Sequence, residues 1–341
     1  MSGVFKGKRI LITGGIGSIG LEIINEILKH DPEVVRVLDI NETALFELKE
    51  ELKNYSNLRV LLGDIRDKSR VRFAIENIDI VLHTASLKHV EICEYNPFES
   101  IKTNVIGTQN IIDSCIEEEV EKLIFTSSDK AVSPTNVMGA TKLLAERLIT
   151  SANYYKGARK TVFSSIRFGN VLGSRGSVIP LFKRQIEMGG PITITDGDMT
   201  RFIMPMRKAI YLLLKAVELA QGGEIFIFKM SVIRISDLAE VMIEELASVY
   251  GYSPTDVEIK VIGSKPGEKL HEALVTEYEA SRILENKDMF ILLPEMESLS
   301  RVDKSFYPQF LQGDINAYSS KDIKPLSKEE IRKFLQKESL L

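Results

Sequence analysis

Two rhythms of apolar residues alternate along the first half of the chain. Short unbroken apolar runs end at turn residues, and segments with apolar positions three and four apart follow them. The runs are Arg9 to Thr13 (RILIT), Val34 to Ile40, Arg59 to Leu62, Ile80 to His83, Lys122 to Ser127 and Val162 to Phe168. Segments 21–29, 42–52, 69–75, 97–117 and 141–152 carry the helical spacing. In the first of them Leu21, Ile24, Ile27 and Leu28 share a face. Consecutive apolar residues suit strands covered on both sides, so the alternation predicts an α/β fold with a doubly wound parallel sheet. Near Asn170 the rhythm breaks. Gly173 to Gly176 and Gly189-Gly190-Pro191 read as turns, Ile192 to Thr195 as a strand, and helices return over 206–220 and 235–247.

Composition narrows the function classes. With 44% hydrophobic and 27% charged residues in 341, the chain is ordinary for a globular enzyme, not a disordered or collagen-like protein. Its net charge of -4, with no long basic run, gives no footprint for nucleic acid. Cys93 and Cys115 are too few and isolated for a disulfide framework, and His30, His83, His89 and His271 show no ligand spacing, so no metal is expected. No apolar run reaches the roughly 18 residues that span a bilayer, and Met1 to Lys8 is too short for a signal peptide. No membrane span and a cytoplasmic location are expected.

Candidate chemistry begins at TGGIGSIG, Thr13 to Gly20. Gly14, Gly17 and Gly20 form G-x-x-G-x-x-G between a strand and a helix, where Ser18 and Ile19 open the helix. Glycines there permit a tight turn and let amides reach a pyrophosphate at the helix N-terminus. Asp39 ends the second strand. Its carboxylate suits a ribose 2′-hydroxyl and repels a 2′-phosphate, which favours NAD over NADP; capping of the next turn is the alternative. Asn41 is placed beside the cofactor or at the cap of the helix from Glu42. Asp64-Ile65 after the third strand and Ala85-Ser86 after the fourth are expected along the adenine and ribose. We therefore expect a dinucleotide-binding unit over 1–169, with segments about 203–235 returning to it, and a mainly substrate-binding unit over 170–341.

Thr126 to Lys142, TSSDKAVSPTNVMGATK, follows the fifth strand at the sheet edge where ligands sit in such folds. Together with LGDIRD (62–67), HTASLKHV (83–90), TNVIGT (103–108), RFGNVLGSRGSVIPLF (167–182), TITDGDMTRF (193–202) and KPGEKLHE (265–272), it resembles the UDP-N-acetylglucosamine 4,6-dehydratases. These are extended short-chain dehydrogenase/reductases of surface-glycan synthesis, with a Rossmann fold and a smaller C-terminal substrate-binding domain. The resemblance covers nearly the whole chain. It implies oxidation at C4 by a tightly bound, recycled NAD (NADP the second choice), loss of water across C5 and C6, and return of the hydride to C6.

By this resemblance Asp129 is the acid at C6, Lys130 the base at C5, and Ser128 a hydrogen-bonding hydroxyl for the sugar. A Lys base must be partly neutral, and Lys142, the oxidised nicotinamide and burial are expected to discharge Lys130. Lys142 would hold the nicotinamide ribose. Met138 stands four residues before it, where most of the superfamily carries a Tyr base; Met cannot ionise, so Asp129 or Lys130 must take the C4 hydroxyl proton. Lys88 and Asn104 are further cofactor candidates. Lys88 and His89 are expected at the sugar, Asn170 and Arg201 at the diphosphate, Ser177, Val178, Pro180, Phe182 and Thr193 along the uridine, Glu268 near its ribose, and Thr195 elsewhere at the substrate. Arg167 and Arg175 are read in or beside the substrate-binding unit, and Arg175 and Arg184 either bind phosphate or are surface charges. The rivals are a nucleotide-sugar 4-epimerase or 4-keto reductase, which would need the missing Tyr, and a non-catalytic NAD-binding protein, which would not need Asp129. The VMGATK stretch looks more like the branch that retains C5 configuration; the inverting product stays open. The helices over 97–117 and 141–152 are expected to pair in a homodimer or larger assembly.

Overall fold

The computed structural model describes residues 2–296 and 302–341. The first strand-helix units are β1 (Arg9–Thr13), α1 (Ser18–Ile27), β2 (Val34–Asp39), α2 (Glu42–Glu51), β3 (Leu58–Leu62), α3 (Lys68–Ile75) and β4 (Ile80–His83). There follow α4 (Val90–Tyr95), α5 (Gly107–Glu117), β5 (Lys122–Thr126), α6 (Val137–Tyr155), β6 (Val162–Arg167) and α7 (Val178–Glu187). The remaining large elements are α8 (Met206–Leu219), β7 (Ile225–Phe228), α9 (Ile235–Leu246), β8 (Ile283–Glu285), β9 (Met289–Leu292), β10 (Leu311–Gln312) and α10 (Lys328–Lys337).

The main sheet has the order β10-β8-β9-β7-β6-β5-β4-β1-β2-β3. From β7 to β3 every pair is parallel. Burial explains the unbroken apolar runs. Ile10 and Ile12 of β1 join one core while Leu11 joins the core on the opposite face, and Ile80, Leu82 and Val81 of β4 divide in the same way. Strands covered on both faces need no polar alternation.

The C-terminal half departs from the sequence reading. Besides β7, strands β8 to β10 also join the main sheet, and they do so antiparallel. Only Asn286 to Asp288 separate β8 from β9, and Asn286 Oδ1 accepts from the amides of Asp288 and Met289. So short a connection makes a hairpin and cannot make a parallel crossover. The 97–117 segment is interrupted: a short helix Pro97–Ser100 and a wide π turn Ile101–Ile106 precede α5. Helix α7 lies where the sequence reading placed only ligand contacts. Its Ile179, Phe182 and Ile186 belong to a further core with α9 and α10. Small strands Thr200–Met204, Ser231–Arg234 and Asn170–Val171 form a separate sheet beside the carboxyl ends of β5 and β6.

Candidate active site

A cleft of about 880 Å³ runs along the carboxyl edge of the parallel strands, from the glycine turn to the residues after β6. At one end the chain leaves β1 through Gly14, whose φ is +66°; a Cβ there would lie 2.5 Å from the Ala85 Cα. The turn packs directly on the loop after β4, and α1 then presents its first amides toward the cleft. Gly17, Ser18, Ile19 and Gly20 line this end, as do Asp39, Asp64 and Ile65. Asp39 also braces the turn, since its carboxylate accepts from the Ile16 amide at 3.1 Å and the Asn41 amide at 3.1 Å. Asp64 receives the Arg66 amide and guanidinium.

Three residues expected at the cofactor are committed elsewhere. Thr13 is fully buried, with its hydroxyl 2.7 Å from His83 Nδ1. Asn41 caps α2 through the Ala44 amide. Asn104 is buried from the wide turn and clamps the loop after β4, exchanging hydrogen bonds with the amide and carbonyl of Leu87 and donating to Thr141 Oγ1. The cap was one of the two readings the sequence offered for Asn41; the partners of Thr13 and Asn104 are distant along the chain, and the sequence reading could not see them.

In the middle of the cleft, Ser128 begins a single 3₁₀ turn, Asp129–Ala131. The turn is anchored by the Asp129 amide, which donates to the Phe168 carbonyl at 3.1 Å. Helix α6 presses on it so closely that a Cβ at Gly139 would lie 2.3 Å from the Lys130 carbonyl oxygen. Glycine is required there for the approach. Asp129 is 1% exposed. Its Oδ1 accepts from Ser128 Oγ at 2.7 Å and Lys130 Nζ at 3.0 Å. Its Oδ2 is buried without a hydrogen-bond partner among the described residues. A buried acceptor left open in this way costs free energy in the empty site and is a natural place for a proton or a substrate hydroxyl.

Lys130 also lies 3.6 Å from Glu272 Oε1, and Lys269 approaches the other oxygen of Glu272 at 3.7 Å. Burial disfavours the charge on Lys130, but Asp129 and Glu272 outweigh it and hold the ammonium above the ordinary lysine range. The expected discharge of Lys130 is therefore reversed in the free protein, because two carboxylates flank it. Lys142 is the lysine that burial discharges, down to about 7 with Glu146 opposing; its Nζ donates to the Thr126 carbonyl at 2.9 Å. Met138 is 3% exposed and lines the cleft one turn from Lys142. Glu272 had no role in the sequence reading, although it closes the KPGEKLHE stretch. Thr135 and Asn136 hold that stretch against the start of α6 by donating to the Gly267 carbonyl.

Ala85, Ser86, Lys88, His89, Asn170 and Ser177 also line the cleft. Ser177 precedes α7, and its hydroxyl is buried without a partner among the described residues. Arg175 crosses to the glycine turn, where its amide donates to Ser18 Oγ and its guanidinium to the Ile16 carbonyl. Lys88 Nζ donates to the Arg175 carbonyl at 2.7 Å, and burial, with Arg175 adding, holds it below the usual lysine range.

Several residues expected at the substrate lie outside the cleft lining: Val178, Pro180, Phe182, Thr193, Thr195, Arg201 and Glu268. Phe182 is in the core, and Thr193 is bonded through both its hydroxyl and its amide to Gln185. The Thr195 hydroxyl faces Met199 Sδ. Arg201 donates to the carbonyls of Thr200 and Leu270 and pairs with Glu268 at 3.5 Å. Arg167 is 1% exposed between Glu146 and Glu279, with partners at 2.5 and 3.0 Å. It is a buried structural cation, not a phosphate ligand.

Comparison with known proteins gives both dehydratase and epimerase relatives, among them a UDP-glucose 4-epimerase of Rickettsia rickettsii, 34% identical over 97% of this chain and 96% of its own. The polysaccharide biosynthesis protein family matches residues 10–294. An uncharacterized membrane protein of Methanocaldococcus jannaschii is 57% identical, with 100% of this chain and 99% of that one covered. A UDP-N-acetylglucosamine 4,6-dehydratase (inverting) of Campylobacter jejuni is 39% identical over 86% of this chain and 85% of its own. The X-ray structure of Pen from Bacillus thuringiensis is 47% identical, with a TM-score of 0.93 and 99% of both chains covered. Among the described residues, no helix is long and apolar enough to cross a membrane.

Proposed function

This chain belongs to the polysaccharide biosynthesis protein family, and from that premise we propose that it is a nicotinamide-dependent 4,6-dehydratase of UDP-N-acetylglucosamine. The observation that carries this reading is the Asp129–Lys130 pair in the cleft, 3.0 Å apart, beside a methionine where the superfamily's usual hydroxyl base would stand. An epimerase or ketoreductase needs one hydroxyl base and has no use for an acid and a base side by side. Elimination of water needs both.

The glycine turn, the open start of α1 and the carboxylate of Asp39 fit a dinucleotide, and the size of the cleft admits one with a sugar nucleotide beyond it. Gly14 to Gly20 would face its pyrophosphate, Asp39 and Asp64 its adenosine half, and Lys142 its nicotinamide ribose. A nicotinamide held there would supply the hydride acceptor for the C4 hydrogen and the hydride donor for C6, with no net redox change over a turnover.

The remaining chemistry belongs to the chain. Moving a proton from Lys130 to Asp129 along their hydrogen bond converts the resting ion pair into an amine and a carboxylic acid. The amine takes the C5 proton, made acidic by the C4 ketone, and the acid protonates the C6 hydroxyl as it leaves as water. Lys130 then returns a proton to C5, and the proton released from the C4 hydroxyl restores its ammonium. The face of C5 that Lys130 protonates decides whether the product keeps or inverts its C5 configuration. The unpartnered Ser177 hydroxyl and the start of α7 support a diphosphate there. Exposed Tyr95, Phe98, Ile106 and Leu144 on or near α4 to α6 suit the expected pairing with a second copy.

Incubation with UDP-N-acetylglucosamine in deuterated water, followed by proton NMR, tests the reading. A new C6 methyl signal, deuterium at C5 and no net consumption of cofactor are expected, and the ring couplings report the C5 configuration. Unchanged substrate with folded, cofactor-loaded protein would refute it. Cofactor choice is tested separately by Asp39→Ser. The change removes the charge that opposes a 2′-phosphate and should narrow the preference for NAD over NADP by about tenfold, or about 1.4 kcal/mol. Titration of the apoprotein with each cofactor measures it. An unchanged ratio would leave Asp39 as a brace of the glycine turn alone.

A further inference from the structure

Counting protons through the proposed dehydration exposes a missing site. At rest the Asp129–Lys130 pair carries one exchangeable proton, on the Lys130 ammonium. Oxidation at C4 releases a second from the sugar hydroxyl, and Met138 cannot take it. For the elimination, Asp129 must hold a proton for C6 while Lys130 must be a free amine for C5. Two protons are then on the protein and the pair, with Lys130 as the free amine, stores only one, so the second needs a group beyond the pair to hold it.

We infer that Glu272 is that group: it lies behind Lys130 and holds the proton released from the sugar's C4 hydroxyl until the elimination is complete. Glu272 is 3% exposed, and its Oε1 is 3.6 Å from Lys130 Nζ. Its Oε2 is buried and accepts no hydrogen bond among the described residues, although Lys269 Nζ faces it at 3.7 Å. The backbone is pinned, since the Glu272 amide donates to Ser320 Oγ and Ser320 lies 2.8 Å from the Thr200 hydroxyl. The charges facing it are Lys130, Asp129, Lys269 and Arg201. Burial raises its carboxyl above the usual range with Lys130 opposing, so it takes a proton more readily than a surface glutamate.

The steps balance. The Lys130 ammonium passes its proton to Asp129, and the amine accepts the C4 hydroxyl proton. It hands that proton to Glu272, becomes an amine again and accepts the C5 proton. Asp129 protonates the departing C6 oxygen as water. Lys130 returns the C5 proton and is recharged by Glu272, which restores two carboxylates and one ammonium. Glu272 acts through Lys130 and is a positioning and proton-holding residue.

This inference rests on the proposed dehydratase reading, and the experiment separates the two. Wild-type protein, Glu272→Gln and Glu272→Asp are compared, each loaded with cofactor, for methyl product, nicotinamide absorbance and the pH profile of kcat. In the wild type kcat should fall as acid protonates Glu272 and removes the acceptor. In Glu272→Gln, kcat should drop by about 100-fold, reduced cofactor should accumulate without methyl product, and that acid limb should vanish. Glu272→Asp should recover part of the rate and the limb. A Glu272→Gln rate within about threefold of wild type, or an unchanged acid limb, overturns the inference while leaving the dehydratase reading intact. Equal loss of oxidation and elimination in both variants also overturns it, since that pattern marks a merely structural residue. Absence of product from the wild type removes the underlying reading and this inference with it.

Discussion

Lys130→Arg should leave the protein folded and able to bind cofactor and UDP-sugar, yet lower kcat by roughly 10³-fold. Arginine preserves the charge between Asp129 and Glu272 but does not give up its proton at accessible pH, so it cannot become the base that the elimination needs. Lys130→Ala should be equally inactive and should also block reduction of the bound cofactor, because no tyrosine at position 138 can accept the C4 hydroxyl proton in its place. Product formation by NMR and nicotinamide absorbance on adding substrate measure the two effects. An arginine variant with near wild-type turnover would reduce Lys130 to an electrostatic role. An alanine variant that still reduced its cofactor would move the first proton acceptor to another group.

The largest stability effect should come from Arg167→Met. Arg167 is buried with both Glu146 and Glu279, at 2.5 and 3.0 Å, and also donates to the Leu274 carbonyl. Burial works against its charge, but the two carboxylates outweigh it and hold the guanidinium firmly protonated. Methionine fills much of the volume and strands both carboxylates, a loss of about 3–5 kcal/mol. Thermal unfolding at neutral pH should show a clear fall in Tm. The pH dependence identifies the cause. Arg167 holds the Glu279 carboxyl below its ordinary range against the effect of burial, so in wild type this contribution is present above the unfolded value and is lost as pH falls through the folded one. In the variant, burial of Glu279 is opposed only by its hydrogen bonds from Thr276, so its carboxyl rises and stability should be regained as acid neutralises it. The deficit should therefore shrink between neutral and mildly acidic pH. A deficit independent of pH would point to lost packing instead.

These two lysine and arginine cases mark where sequence reasoning stops. Glycine spacing, the acid ending β2 and the S-S-D-K segment after β5 were legible because their chemistry is local: a turn, a strand end and a helix start lie within a few residues of each other. The charge state of Lys130 was only partly local. Its neighbour Asp129 raises it most and Glu272, 142 positions away, adds to this; the sequence reading of Lys130, which weighed Lys142, the nicotinamide and burial, obtained the opposite sign. Arg167 follows the same logic. The sequence placed it only in or beside the substrate-binding unit, and its partners come from α6 and from the short helix Glu277–Ala280.

By itself, the sequence determined the parallel half of the sheet, the order of its strands and helices, the glycine turn and the family. Each rests on periodicity or on contiguous motifs, which survive without knowledge of long-range contacts. Tertiary structure decided which polar side chains were already spoken for, as with Thr13 on His83, Asn104 on Leu87 and Thr193 on Gln185. It also decided the antiparallel end of the sheet and the placement of Glu272 behind Lys130. The reason is physical: a hydrogen bond or an ion pair depends on distance in space, and the sequence records only distance along the chain.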